Sequence, residues 1–358
     1  MDSTDKRWAE LGELLVHYCS EVKPGERVMI AMGESDSFPL VKAVYGAVVK
    51  AGAFPQVQFL SEVLRHSLLR YGNDQQIRWV PEIEAHGMEW ADVYFGLRGA
   101  HNLHEHWDIP SDRLSLNQAA QGKISSLRWQ KTRWCLVRVP NADFAQQAGT
   151  DLATITDMFF SACLRDWQAE GARWRRWADA LEQVSTIRIL GRDTDLRFSV
   201  ERRKWKVGDG KLNMPDGEIF TAPVTESVDG EIHFEFPGVL AGRLVPGIHL
   251  RWQQGRLVEA RSASNQQFLE EILQTDPGSS AIGEFGIGTN PALTIFCRDI
   301  LLDEKICGTA HIALGRAYTE CGGTNQSAIH WDIIKDLRTE GAIYADGKLV
   351  FERGGFVI

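Results

Sequence analysis

The stretch from His311 to Asp332 reads HIALGRAYTECGGTNQSAIHWD and concentrates side chains that can do chemistry around a glycine turn. Its last histidine, His330, precedes Asp332 by two positions, so on an extended segment both side chains point to the same side. Paired nitrogen and oxygen donors of this kind suit zinc, iron, cobalt or manganese. The CGGTN turn gives the chain room to fold back, so that His311 can meet the pair. The alternative is a buried histidine and a surface pair that never converge.

Two glutamates in the same half of the chain strengthen the interpretation as a metal site. Glu284 lies in AIGEFGIGTNP and Glu218 lies in LNMPDGEIFTAP, each beside glycines and apolar residues. Burying a carboxylate in such a strand costs free energy unless it is paired or binds a cation. Alternatively, each glutamate faces solvent. Two glutamates, two imidazoles, an aspartate and a tyrosine in one domain are what a two-metal hydrolytic site requires.

A second cluster of metal-type residues lies in the first half of the chain. The segment HNLHEHWD contains His101, His104, His106 and Asp108, and it follows an apolar run that predicts a strand. By residue type alone it resembles a metal site. Its place after a strand predicts a loop instead, either solvated or contacting a second subunit.

Apolar runs separated by helical periodicity organise the first half. Strands are predicted at residues 27–32, 57–60, 92–97 and 135–140. Strands joined through helices pair in parallel, so this half is expected to be an α/β layered domain with a mostly parallel sheet.

Two helical segments frame that domain. One begins behind Ser3 or Thr4 as a candidate N-cap, and the other is a long helical stretch at residues 151–181 that closes the first half. We therefore expect an N-terminal α/β domain at residues 1–183.

From about residue 184 the pattern changes to period-two alternation interrupted by glycines, prolines and aspartates. This is typical of twisted antiparallel sheet, and one helix is predicted at residues 265–274. Residues 184–358 are therefore expected to form an α+β metal-binding catalytic domain that is rich in antiparallel strands.

Composition limits the kinds of partner. A chain of 358 residues is long enough for two domains, and its net charge of −9 argues against a nucleic-acid or membrane partner. The six cysteines are scattered without a CxxC pair, and the start of the chain lacks the features of a signal peptide. We therefore expect a cytoplasmic protein with reduced thiols.

Four segments, in order, carry a resemblance to a known family. NMPDGEIFTAP, GEFGIGTNP, DEKICGTAHIALG and GGTNQSAIHWD resemble the thermophilic aminopeptidase family, the metallopeptidases of the aminopeptidase T and aminopeptidase S type. A weaker resemblance extends into the first half, at VKPGERVMIAM and RWCLVRVPNADFAQQAG.

The resemblance implies a metalloaminopeptidase that hydrolyses the N-terminal peptide bond of peptides through water activated by two divalent ions, which would be Zn, Co, Mn or Mg. It also implies a homodimer. Matched position by position, the implied metal ligands are Glu218, Glu284, His311, His330 and Asp332, and the implied catalytic residues are Tyr318 with Glu218 or Glu284 as general base.

A ring-cleaving dioxygenase of hydroxylated pyridines resembles the same family in its C-terminal half. It would use His311, His330 and Asp332 around a single Fe(II), with open positions for oxygen. The additional Glu218 and Glu284 favour two metals and hydrolysis, so the dioxygenase is the alternative.

Overall fold

The structure is a computed structural model that describes residues 5–102, 104–127, 131–240 and 242–358. The α-helices, in chain order, are α1 Lys6–Leu14, α2 Phe38–Lys50, α3 Glu62–Tyr71, α4 Asp74–Ile77, α5 Glu82–Trp90, α6 Ser111–Ser126, α7 Ala142–Ala148, α8 Leu152–Cys163, α9 Trp167–Leu181, α10 Gln266–Leu273 and α11 Ile300–Asp303. The strands are β1 Arg27–Gly33, β2 Phe54–Leu60, β3 Val93–Gly99, β4 Arg133–Val139, β5 Thr186–Gly191, β6 Thr194–Ser199, β7 Lys206–Gly208, β8 Asn213–Met214, β9 Glu218–Thr221, β10 Asp229–His233, β11 Gly238–Leu240, β12 Arg243–Val245, β13 His249–Gln253, β14 Arg256–Arg261, β15 Ile282–Gly288, β16 Thr309–Gly315, β17 His330–Asp336, β18 Ala342–Ala345, β19 Lys348–Glu352 and β20 Gly355–Phe356. A π-helix spans Leu15–Cys19, and short 3₁₀ helices span Ser35–Ser37, Thr225–Ser227 and Thr319–Cys321.

The first compact unit consists of Met1–Leu164 and Gly210–Pro215. Its five-stranded sheet has the order β2-β1-β3-β4-β8, and every neighbouring pair is parallel. Strand β3 is buried along nearly its whole length, as expected for a parallel strand covered by helices on both faces. The prediction of an α/β domain with a mostly parallel sheet is confirmed.

Two predicted helical segments differ in detail from the helices of the structure. The candidate caps Ser3 and Thr4 lie outside the described residues, and Asp5 caps α1 by accepting a hydrogen bond from the Arg7 amide at 3.0 Å. The stretch at 151–181 was predicted as one helical element, but it forms two helices, α8 and α9. Helix α8 ends at Cys163, with Leu164 as its C-cap, and the Asp166 carboxylate caps α9 by accepting a hydrogen bond from the backbone amide of Ala169.

The second compact unit consists of Arg165–Asp209 and Asp216–Ile358. One antiparallel sheet has the order β14-β13-β10-β6-β5-β18-β19-β20, and a second has the order β17-β16-β15-β9-β7. A small two-stranded sheet pairs β11 with β12. This confirms the predicted α+β architecture that is rich in antiparallel strands.

The two units divide before α9, between Leu164 and Arg165. The sequence pattern instead predicts a domain boundary after this helix, at residue 183. Helix α9 contacts β7 and β9 of the second unit, which accounts for its assignment to that unit. Strand β8 interrupts the second unit in sequence because it pairs with β4 of the parallel sheet.

One face of the sheet β17-β16-β15-β9-β7 packs into the core of the second unit. Phe285 and Ile312 are fully buried, and the ring of Phe285 meets Phe198 and Trp205 edge-on, with centroids 5.2 and 5.9 Å away. Strands β15 and β16 are buried at every position, so the opposite face of this sheet is also covered. The candidate site lies on that opposite face.

Across the ranges described above, every helix is too short or too polar to cross a lipid bilayer.

Candidate metal centre

Four adjacent strands of one antiparallel sheet supply the donors that the sequence singled out. Strand β17 carries His330 and Asp332, β16 carries His311, β15 carries Glu284, and β9 begins with Glu218.

Strand register brings these donors onto one face of the sheet. Residues that pair across neighbouring strands point to the same side. Ala313 of β16 pairs with Glu284 on one side and with Asp332 on the other, while His311 pairs with Gly286. Small residues therefore alternate with the donors on this face.

The first donor group consists of Glu218, Glu284 and His311, whose ligand atoms all lie within 4.8 Å of one another. The Nε2 atom of His311 lies 3.3 Å from Glu218 Oε2 and 3.4 Å from Glu284 Oε1. All three side chains are buried. The structure thus brings together three of the five metal ligands that the family resemblance implies.

The second group consists of Glu284, His330 and Asp332, again with ligand atoms within 4.8 Å of one another. The Nε2 atom of His330 lies 3.2 Å from Glu284 Oε2 and 3.5 Å from Asp332 Oδ2. Glu284 therefore belongs to both groups, with one oxygen atom directed to each imidazole.

Neighbouring backbone atoms orient the imidazoles. His330 Nδ1 lies 2.8 Å from the carbonyl oxygen of Arg316, and because a carbonyl can only accept, Nδ1 is the donor. Its Nε2 atom then faces Glu284 and Asp332, as in metal-binding histidines held by a second hydrogen bond. At Gly286, a Cβ atom would lie 2.2 Å from His311 Cε1 and Nε2, so the missing side chain makes room for the ring.

Burial dominates the electrostatics of the carboxylates. It raises the pKa of Glu218 well above its usual range, and it raises the pKa of Asp332 to about 6 despite the nearby His330. Glu284 behaves differently, because hydrogen bonds from His311 and His330 outweigh its burial and lower its pKa to about 2. Glu284 is thus the carboxylate that the two imidazoles hold in its ionised form.

Both imidazoles attract protons strongly. Burial by itself would lower their pKa values, but hydrogen bonding to Glu284 and the charge of Glu218 raise the pKa of His311 to about 9. The charge of Asp332 and a hydrogen bond to Glu284 raise the pKa of His330 to about 10. A site that binds protons this tightly also favours other cations.

Tyr318 starts the short helix Thr319–Cys321 beside the second group. Its ring centroid lies 5.1 Å from that of His330 and 5.6 Å from that of Phe220. Burial, and then the charge of Glu284, raise the pKa of the Tyr318 hydroxyl above its usual range. The hydroxyl therefore stays protonated and can act as a hydrogen-bond donor.

Two charged residues at this site, Lys305 and Glu304, were not predicted from the sequence. Lys305 is fully buried, and its Nζ lies 3.6 Å from Glu218 Oε1 and contacts Glu304 Oε1. The only sequence signal was a lysine within the apolar run KICGTAHIALG, just ahead of the strand that carries His311.

The residues present fit divalent metal ions. Carboxylate oxygens and imidazole nitrogens are the donors that Zn²⁺, Co²⁺ and Mn²⁺ accept. Glu218 Oε2 is buried and makes no hydrogen bond to any residue that the structure describes. Such an atom is costly to bury without a partner, and a cation between the donors would supply one.

In the second histidine-rich segment, residues 104–108 form turns after β3, as predicted for a loop. His106 Nε2 lies 2.8 Å from Glu62 Oε2, and Asp108 Oδ1 lies 2.8 Å from His66 Nε2. Among the described residues, the clusters able to hold a metal are the two groups that share Glu284, and no residue of this loop belongs to either.

Two solved structures have a similar fold over nearly the whole chain. Wild-type AmpT from Thermus thermophilus superposes with a TM-score of 0.88 at 22% identity, covering 99% of each chain. The 2,5-dihydroxypyridine dioxygenase from Pseudomonas putida KT2440 gives a TM-score of 0.66 at 15% identity, covering 100% of this chain and 98% of the other. At these identities the similarity concerns the fold.

Curated relatives are similar in sequence over most of the chain. Aminopeptidase T of Thermus thermophilus is 25% identical over 414 residues, with full coverage of both chains. Aminopeptidase AmpS of Bacillus subtilis is 29% identical over 300 residues, covering 69% of this chain and 72% of the relative.

The description of the matching family model is thermophilic metalloprotease (M29), and the match extends over residues 4–356. Metalloproteases are metal-dependent hydrolases of peptide bonds, so the match confirms the predicted class of enzyme. The resemblance carried by the four C-terminal segments is likewise confirmed: the chain belongs to the thermophilic metalloprotease (M29) family.

Proposed function

We propose that the chain is a metalloaminopeptidase that hydrolyses the N-terminal peptide bond of peptides with the help of two divalent ions. The observation that carries this proposal is the position of Glu284, which belongs to both donor groups and directs one oxygen atom to each. A shared carboxylate is the usual bridge of a two-metal hydrolytic site. The names of the curated relatives, aminopeptidase T and aminopeptidase AmpS, support the choice of the N-terminal bond.

Each group would hold one ion, drawn from Zn²⁺, Co²⁺, Mn²⁺ or Mg²⁺. Glu218 and His311 would complete one site, and His330 and Asp332 the other, with Glu284 common to both. When bound, such ions polarise the scissile carbonyl and lower the pKa of a coordinated water to about 7.

The protein's own side chains perform the remaining steps. Tyr318, which stays protonated, would donate a hydrogen bond to the oxyanion that develops on the scissile carbonyl. We propose that Glu218 or Glu284 accepts the proton of the attacking water and returns it to the leaving amine.

Release of free amino acids from short peptides tests the proposal. The protein is assayed after chelation, and again after addition of Co²⁺, Zn²⁺, Mn²⁺ or Mg²⁺, with each peptide present in free and N-acetylated form. Metal-dependent release of one N-terminal residue at a time from the free peptides alone is the expected result. Cleavage of the acetylated peptides at internal bonds would make the chain an endopeptidase instead.

A mononuclear Fe(II) dioxygenase of hydroxylated pyridines remains the alternative, since the fold is similar to that of such an enzyme. That activity would need His311, His330 and Asp332 around a single ion. Among the described residues, however, His311 is grouped with the two glutamates, and His330 with Glu284 and Asp332. This grouping favours the two-ion proposal, and oxygen uptake with Fe(II) and 2,5-dihydroxypyridine tests the alternative.

The homodimer and the cytoplasmic location also stay proposals. Trp167 and Trp174 are buried within their own unit, so these two side chains are not available to a second subunit. Sedimentation of the purified protein tests the dimer, and fractionation of cells tests the location.

A further inference from the structure

Lys305 is a fully buried cation beside the first donor group. Its Nζ lies between two carboxylates: it contacts Glu304 Oε1 and lies 3.6 Å from Glu218 Oε1. Burying a lysine without a partner is costly, whereas an ion pair with hydrogen bonds offsets much of the desolvation. The ammonium of Lys305 therefore has a definite place, set by two acidic side chains.

The backbone around Lys305 is tied to the same residues that hold the turn before Glu218. Asn290 donates its amide to the Lys305 carbonyl at 3.0 Å, and its side-chain amide donates to the Asp216 carbonyl at 2.8 Å. Thr289 donates its amide to the Gly217 carbonyl at 2.8 Å. Thr289 and Asn290, which directly follow β15, thus hold Lys305 and the start of β9 in place relative to each other.

This arrangement assigns different surroundings to the two oxygen atoms of Glu218. Oε1 faces the Lys305 ammonium at 3.6 Å, while Oε2 lies 3.3 Å from His311 Nε2. Oε2 is the buried atom that makes no hydrogen bond to the described residues. The ammonium on one side therefore favours the rotamer that directs the other oxygen towards the donor group.

We propose that Lys305 is a positioning residue that holds the carboxylate of Glu218 in the orientation needed to bind the ion of the first group. The inference rests on the proposed two-ion function. Residues that orient metal ligands in this way typically change metal affinity by about 10- to 100-fold when they are replaced. The effect should be confined to the ion held by Glu218, because no ion pair in the described part of the chain joins Lys305 to Glu284 or Asp332, the carboxylates of the second group.

Lys335 provides a matched control. It is also a fully buried lysine of the second unit, and its Nζ is hydrogen-bonded to Glu235 Oε1 at 2.6 Å and to the Arg192 carbonyl at 2.9 Å. Replacing either lysine by methionine removes one buried cation and keeps a similar volume. Loss of stability alone should therefore be comparable in the two variants.

The experiment is a Co²⁺ titration of the metal-free protein, followed by heat of binding and by the visible absorption of the bound ion. For K305M we expect affinity at one of two sites to fall by about 10- to 100-fold, with the other site and the spectrum of its ion unchanged. K305R, which keeps the cation, should recover part of the affinity. K335M should bind both ions as the unchanged protein does.

The outcomes separate the inference from the function on which it rests. If the unchanged protein fails to bind two ions, the proposed two-ion function is wrong. If it binds two and K305M does so with unchanged affinities and spectra, the positioning role of Lys305 is wrong. Equal losses in K305M and K335M would also overturn it, since they would reflect stability. Should K305M not fold, as judged by circular dichroism, K305Q is titrated in its place against the same expectations.

Discussion

His330 donates its Nδ1 hydrogen to the backbone carbonyl of Arg316 at 2.8 Å, across the loop that separates β16 from β17. The bond keeps a hydrogen on Nδ1 and directs Nε2 to the carboxylates of the second donor group. A metal ligand is thus oriented by main chain rather than by another side chain. Substitution of Arg316 should accordingly leave this contact intact.

Glu284 is the residue on which both donor groups depend. Replacing it with alanine should abolish tight binding of both ions, because each group would be left with two protein donors. D332A, in contrast, should lose one ion and keep the other. Equilibrium dialysis of the metal-free variants against Co²⁺, with the bound metal counted per chain, provides the measurement. Retention of one tightly bound ion by E284A would show that the glutamate is not shared.

Gly286 makes room for the ring of His311. A methyl group there would overlap the imidazole at 2.2 Å, so Gly286→Ala should displace His311 and weaken metal binding by at least 10-fold. Gly46→Ala is the control, because a Cβ at this position in α2 meets nothing within 4 Å. That control should stabilise the protein by about 0.5–1 kcal/mol and leave its metal binding unchanged. Equal metal affinities in the two variants would contradict the close contact.

Tyr318 is expected to act on the transition state. Tyr318→Phe removes the hydroxyl and keeps the ring that contacts His330 and Phe220. We expect kcat for peptide hydrolysis to fall by about 10²- to 10³-fold, with metal content and KM nearly unchanged. Steady-state kinetics on one free dipeptide, together with metal analysis, check this. A variant with a raised KM and an unchanged kcat would point to substrate binding instead.

The stability of the metal-free protein should depend on pH through its two site histidines. Their carboxylate neighbours raise the pKa of His311 to about 9 and that of His330 to about 10, against burial, while an unfolded histidine titrates near 6.5. The folded state therefore binds these protons more tightly. Their stabilisation is complete below pH of about 6.5 and is lost as the pH rises through about 9 to 10.

Thermal unfolding in the presence of a chelator measures this loss. The Tm should decrease between pH 6.5 and pH 10, and the decrease should be smaller in His330→Gln. A Tm that rises over this interval would be inconsistent with protonated imidazoles in the metal-free site.

The histidines of the segment HNLHEHWD, at 101–108, serve as a negative control for metal binding. His101→Ala and His104→Ala should each retain the full number of bound ions, since neither residue belongs to a donor group. Metal analysis after dialysis is the check. Loss of an ion from either variant would mean that the loop takes part in a metal site after all.

Local sequence patterns singled out the donor residues that the structure groups together, but not the residues that hold those donors in place. The i, i+2 spacing of His330 and Asp332 placed both on one side of a strand, and the structure has them in the same donor group. The glutamates stood out because carboxylates in apolar strands need a partner. Lys305 and the Arg316 carbonyl were missed because their roles depend on strand register and loop path, which local patterns do not encode.

The fold likewise has features that the sequence predicts and features that it does not. Continuous apolar runs predicted the parallel strands, since strands buried on both faces have no polar side. The break between α8 and α9 was missed because the interrupting segment contains no proline or glycine. It depends on Asp166, whose carboxylate caps the second helix. Aspartate is also tolerated inside helices, so its presence alone does not identify a break.

The most direct test of the central claim is a crystal structure of the protein grown with Zn²⁺ or Co²⁺, with data collected at the absorption edge of the metal. Two anomalous peaks about 3.5–4 Å apart, with Glu284 between them, are the predicted result. A single peak surrounded by His311, His330 and Asp332 would contradict the two-ion account and would favour the mononuclear alternative.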